Sequence, residues 1–119
     1  MTIRELYERV GGNYEDAMTR LMNESIARRV LSKFPDADDY RLMADAFERG
    51  DYEEAFLRSH TLKGTALNLG LNRLGQTASD LCETVRSGQA PDPYPSGLLA
   101  QAKEEYGIAV DAIRSLDPR

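Results

Sequence analysis

The chain has no tryptophan, one cysteine and one histidine in 119 residues. A lone thiol, Cys82, cannot close an internal disulfide and suits a reducing cytoplasm, where we expect the protein to reside. One His and one Cys leave a His/Cys-ligated zinc site without its ligands, so no metal is expected. Cations are the minority: 15 Lys and Arg face 20 Asp and Glu, a net charge of −5. General nucleic-acid binding, which needs clustered cations to displace counterions from phosphates, is therefore not expected. No run approaches the roughly 20 apolar residues of a membrane span. Arg4, Glu5, Glu8 and Arg9 break the first apolar stretch, which excludes a signal peptide. The opening Met1 suits an independent protein. A Gly-rich phosphate loop is also missing, since Gly11-Gly12 is too little, so no ATP site of its own is expected.

Alternating β-branched runs are absent too, which removes the strand signal. Helix punctuation remains, and there is much of it. Thr2-Ile3-Arg4-Glu5 reads as a capping box, and Gly11-Gly12 stops the helix it opens. Asn13 can cap a segment to about Leu21, and a third runs from about Glu24 to Phe34, ended by Pro35. Asp36, with Asp39 three residues on, can cap a helix to Arg49 that stops at Gly50. Asp51-Tyr52-Glu53-Glu54 opens the next helix, which ends near Gly70. Asn72 can cap another to about Ser87 and Gly88. Pro91, Pro93 and Pro95 make a loop, and Ser96 or Gly97 starts the last helix. There Leu99, Ala102, Tyr106, Ala109, Ile113 and Leu116 recur at spacings of three and four, a single apolar stripe. The expected fold is all-α: an antiparallel up-down-up-down four-helix bundle over residues 36–116, with residues 1–35 as short helices covering it, all in one domain.

The helix holding the only histidine departs from simple amphipathicity. At about 100° per residue, Ala55, Ser59, Leu62, Ala66 and Leu69 form a core stripe, and His60 points away from it. Phe56, Leu57, Lys63, Gly64, Leu67 and Leu71 surround the imidazole, an apolar patch on an outward face that suggests docking. A lone surface histidine or lysine is ordinarily just a solvated side chain. Gly64 is harder to explain that way, because a mid-helix glycine costs about 1 kcal/mol relative to alanine. A close helix contact would justify it on the core side, yet it lies on the histidine side. No acid occurs between Glu54 and Asp80, whereas Arg58, Lys63 and Arg73 do, so the neighbourhood reads as locally basic and suited to an acidic partner.

His60-Thr61-Leu62-Lys63-Gly64-Thr65-Ala66-Leu67-Asn68-Leu69-Gly70 resembles the central motif of histidine-containing phosphotransfer (HPt) domains. Arg49-Gly50-Asp51-Tyr52 resembles the turn before the family's histidine helix, and the likeness extends over roughly Asp36 to Leu116. The resemblance implies that His60 accepts a phosphoryl group, by analogy on Nε2. It implies that Lys63 balances the phosphoryl charge and that Gly64 leaves room for a response-regulator receiver domain. Leu67 and its apolar neighbours would supply docking surface; with Phe56, Leu57, Arg58 and Leu71 they complete the expected interface. It implies a phosphorelay in which aspartyl phosphate on one receiver, including one in a hybrid histidine kinase, passes through His60 to another. A neutral imidazole nitrogen is the nucleophile, and free imidazole titrates at about 6.5, so it is available near pH 7. Magnesium is expected only on the partner receiver, and this chain needs no cofactor. A monomer is the expected state, and a phosphotransfer intermediate rather than an enzyme is the expected role.

Three other readings stay open at this point. A sensor kinase site commonly carries an acid directly after its histidine, whereas Thr61 stands here and no nucleotide domain follows. A phosphate-independent bundle could keep the surface and act as a scaffold or dimer. A hydrolase would need a paired acid and a pocket, neither of which the sequence signals.

Overall fold

Thr2 opens the chain's first helix with a reciprocal cap. Its hydroxyl accepts from the Glu5 N–H at 3.1 Å, and the Glu5 carboxylate accepts from the Thr2 N–H at 2.8 Å. In the computed structural model, which describes residues 1–117, this helix α1 spans Ile3–Arg9. Asn13 and Asn23 cap α2 (Tyr14–Leu21) and α3 (Glu24–Lys33) through their side-chain oxygens. The main helices are α4 (Asp39–Arg49), α5 (Tyr52–Leu69), α6 (Asn72–Thr84) and α7 (Ser96–Arg114). No strand occurs among the described residues, so the all-α expectation holds.

Four boundaries differ from the sequence reading. Pro35 does not end the third helical segment by expelling Phe34 from helical geometry. Phe34 has φ −62° and ψ −43°, and a single 3-10 turn, Phe34–Asp36, extends the segment with Pro35 at its start. The preference against helical geometry before proline yields here to the burial of the Phe34 ring. Asp36 and Asn72 are not caps. Asp38 and Leu71 occupy the cap positions of α4 and α6, and neither makes a side-chain capping bond. Finally, α6 stops at Thr84, and Val85–Ser87 continue only as turns.

Two-residue links join α4 to α5 and α5 to α6, which forces each pair antiparallel. The pairings confirm the direction. Leu67 packs on Gly75 between α5 and α6, Thr77 bonds Glu105 between α6 and α7, and the Tyr40 ring stacks on Tyr106 at 4.4 Å between α4 and α7. Met43, Phe47, Ala55, Leu62, Ala66, Leu74, Ala78, Leu81, Ala102, Ala109 and Ile113 meet in the core. A fully buried leucine such as Leu62 contributes roughly 2 kcal/mol by leaving water. Ser59 is buried among them at no polar cost, because its hydroxyl donates to the Ala55 carbonyl at 2.7 Å.

The N-terminal helices seal the end of the bundle where α5 finishes. A helix leaves its last four carbonyls without partners, and here each finds one. The Leu71 and Gly70 N–H groups take those of Ala66 and Leu67, while Arg20 Nε reaches Asn68 O at 3.1 Å and the Tyr7 hydroxyl reaches Leu69 O at 2.8 Å. Gly70 turns the chain at φ +82°, and its bare Cα lets the Tyr7 ring and the Ala17 methyl close on it. A Cβ on Gly12 would lie 2.3 Å from the Gly70 carbonyl oxygen. The family of contacts at this corner therefore ties α1 and α2 to the helix that carries the histidine.

Candidate functional site

His60 sits in the middle of α5 and is exposed, opposite the buried side formed by Ala55, Ser59, Leu62, Ala66 and Leu69. Its ring stacks on Phe56 one turn earlier, with centroids 6.3 Å apart and planes 22° apart. Phe56 is half-buried, and its carbonyl accepts from the Ser59 hydroxyl and the Cys82 thiol. Those bonds tie the backbone at Phe56 to α5 and α6, and its ring lies alongside the imidazole. Phe56 is thus a support for the imidazole that keeps part of its surface open.

Lys63 lies one turn after His60, half-exposed, and makes no direct ion pair among the described residues. Because helix side chains lean toward their own N-terminus, its ammonium is carried back toward the imidazole. Gly64 is open: a Cβ built there meets nothing within 4 Å. The helix–helix contact that would excuse a glycine is absent, so the histidine has bare backbone on its flank. Together these three residues offer a nucleophilic ring, a cation for an incoming anion, and space for the molecule delivering it.

The expected docking residues divide. Leu57 is 58% exposed and Leu67 38% exposed, both beside His60. Leu71 is fully buried and is not part of the surface. The periodicity that placed it there cannot be continued past Gly70, whose left-handed turn sends Leu71 to the cap of α6 instead. Arg58 is also misplaced. It lies about 160° around the helix axis from His60, where its guanidinium is bound to Glu54 at 2.7 Å. Arg73 is farther still, folded against Arg9 O and Gly11 at the sealed end. The locally basic stretch of sequence is not a basic patch in space. Lys63 is its only member beside the histidine, and the α6 acids Asp80 and Glu83 stand exposed on the neighbouring helix.

Two shallow depressions flank His60 along α5. One, of about 360 Å³, is lined by Glu53, Phe56, Leu57, Arg86, Ser87 and Gly88. The N-terminal helices do not cover Phe56 and Leu57. The other, of about 440 Å³, opens between Gly64, Thr65 and Asn68 on one side and Val30, Lys33 and Ala37 on the other. No helix among the described residues is long and apolar enough to cross a membrane.

The sequence reading missed Gly75. It is buried in α6, and a Cβ there would come within 2.5 Å of the Leu67 side chain. Gly75 is what lets Leu67 lie flat across the α5–α6 seam instead of being pushed out. The signal was available: a glycine inside a helix carries the same cost that singled out Gly64.

Comparison with known proteins agrees with this geometry. No match to a curated protein or to a solved structure was found. Residues 36–113 match the Hpt domain, a span that covers α4 to nearly the end of α7 and includes His60, Lys63 and Gly64. The chain belongs to the Hpt domain family, whose members carry phosphoryl groups on histidine in two-component phosphorelays and meet receiver domains as partners.

Proposed function

We propose that this protein is a cytoplasmic phosphocarrier in which His60 takes a phosphoryl group from the aspartyl phosphate of one receiver domain and gives it to another. The observation that carries the reading is the exposed imidazole, seated on Phe56, with Lys63 one turn on and open backbone at Gly64. In the forward step a neutral ring nitrogen, Nε2 by family analogy, attacks phosphorus. The bond from phosphorus to the aspartate oxygen breaks, and the carboxylate leaves with the electron pair. The ring keeps its other N–H and is cationic until that proton passes to water. Lys63 offsets the dianion by a charge-assisted hydrogen bond.

Gly64 admits the receiver backbone, and Leu57 and Leu67 give it apolar surface to cover. The chain acts as an intermediate without an ATP site, and the metal that assists transfer is magnesium held by the receiver. The same site works in both directions, because the attacking and leaving groups simply exchange roles.

The test charges a receiver domain with acetyl phosphate and offers it to wild type and to His60→Gln. Acid-labile, base-stable label on wild type alone is the expected result. Folded wild type that takes no label from receivers able to charge other carriers would instead indicate a phosphate-independent interaction module.

A further inference from the structure

Gly64 belongs to two surfaces at once. It flanks His60 one turn along α5, and it also forms part of one wall of the depression of about 440 Å³. Thr65 and Asn68 continue that wall, while Val30 and Lys33 of α3 stand opposite. Between the walls the buried side chains of Phe34 and Leu69 make an apolar floor. The far wall is held firmly. Ala27, Leu31 and Phe34 are buried, and the Phe34 ring meets Tyr106 of α7 at 5.7 Å. Val30 and Lys33 lie on the flank of that buried stripe, at the edge of their helix. Both precede residue 36, where the match to the Hpt domain begins.

The border of this groove is cationic in a chain whose net charge is −5. Lys33 stands exposed on one wall, and Arg20 of α2 reaches Asn68 O at 3.1 Å on the other. Among the described residues neither Lys33 nor Arg20 is ion-paired, and Asp38, just before α4, is taken by Arg41 at 3.2 Å. The groove therefore presents an apolar floor and unspent positive charge directly beside the open backbone at Gly64.

We propose that α3 supplies a second wall of the receiver's seat: a receiver docked on His60 extends over Gly64 into this groove, and Lys33 pairs with a carboxylate on the receiver's rim. The proposal rests on the phosphocarrier reading. A receiver must bring its aspartyl phosphate within bonding distance of the imidazole, so its surface covers the Gly64 flank and with it the mouth of the groove. Its docking face is acidic by its own chemistry, since magnesium is held by carboxylate oxygens, and such a face meets a cationic border favourably. Lys33 is a docking residue and takes no part in the transfer itself. Because Val30 and Lys33 lie outside the span shared with the family, choice among receivers is made in part outside that span.

The experiment takes the receiver that labels wild type fastest from a panel and measures its dissociation constant for wild type, Lys33→Met and Lys33→Glu. Lys103→Glu, on the exposed side of α7, makes the same charge change at a control position. Lys33→Glu is expected to weaken binding about threefold to tenfold at low salt, with a smaller loss in Lys33→Met. Both losses should shrink as salt is added. Labelling of the variants by phosphoramidate, which needs no docking, should keep the wild-type rate. A loss in Lys33→Glu no larger than that in Lys103→Glu would overturn the proposal.

A second readout needs no substitution. Saturating receiver should protect Lys33 of wild type from an amine-acylating reagent and leave Lys103 as reactive as before. Lys33 that stays fully reactive in the complex would place the receiver elsewhere and overturn the proposal alone. Wild type that neither phosphoramidate nor any receiver labels would overturn the phosphocarrier reading, and this seat with it.

Discussion

Two glycines six residues apart on one helix meet opposite surroundings. Gly70 ends α5 in a left-handed turn, with the Tyr7 ring 2.6 Å from where a Cβ would lie. Gly64, nearer the middle, has nothing within 4 Å. At the first, the missing side chain is filled by the protein itself, and every terminal carbonyl of α5 finds a donor. At the second, it is left unfilled beside the only histidine. Absence of a side chain serves cohesion in one place and access in the other. The difference lies in what occupies the vacated space.

The largest effect breaks the open region outright: His60→Gln should abolish phosphoryl transfer with the fold intact, read as label on the protein and as an unchanged circular dichroism spectrum. Next comes the sealed end. Gly12→Ala forces a Cβ against the Gly70 carbonyl, a backbone atom that cannot rotate away. It should cost about 2–3 kcal/mol in urea unfolding. A loss below about 0.5 kcal/mol would mean that this corner is not tightly closed.

Tyr7→Phe removes the donor to the Leu69 carbonyl and should cost about 1–2 kcal/mol. The same residue gives the sealed end a pH signature. Burial pushes the Tyr7 phenol up to about 12, against an ordinary value near 10. The folded state holds that proton more tightly than the unfolded chain does. Its contribution is therefore whole below pH 10 and is lost as pH rises through about 12. Comparing wild type with Tyr7→Phe across this window isolates it, and equal slopes would contradict the assignment.

The smallest stability effect sharpens the contrast. Gly64→Ala should stabilise the protein by up to about 1 kcal/mol, since a helical glycine is replaced where nothing collides. Receiver-driven transfer should slow all the same. A gain in stability with a loss in transfer is what an access role requires, and a packing role would give the reverse.

Much of this architecture was legible because it rests on local chemistry. Thr2, Asn13 and Asp51 announce helix starts through oxygens that accept nearby backbone N–H groups. The stripe from Leu99 to Ile113 shows its buried face through spacing alone. His60, Lys63 and Gly64 fall where an unbroken helix must put them. What failed depended on the chain turning or on its folding back. Leu71 lies past a left-handed residue, so the α5 wheel does not apply to it. Arg58 and Arg73 are near His60 in sequence but are taken up by Glu54 and by the Arg9 carbonyl. Charge read along the sequence counted both toward a basic patch that does not form in space.

The central claim is that the histidine face is built open for a macromolecular donor. It is tested most directly by the ratio of two phosphorylation rates in Gly64→Leu and in wild type: from a charged receiver, and from phosphoramidate, which is small enough to need no docking. The ratio should fall at least tenfold in Gly64→Leu, with the phosphoramidate rate unchanged. An unaltered ratio, with both proteins folded, would show that the open backbone beside His60 is not where the receiver comes in.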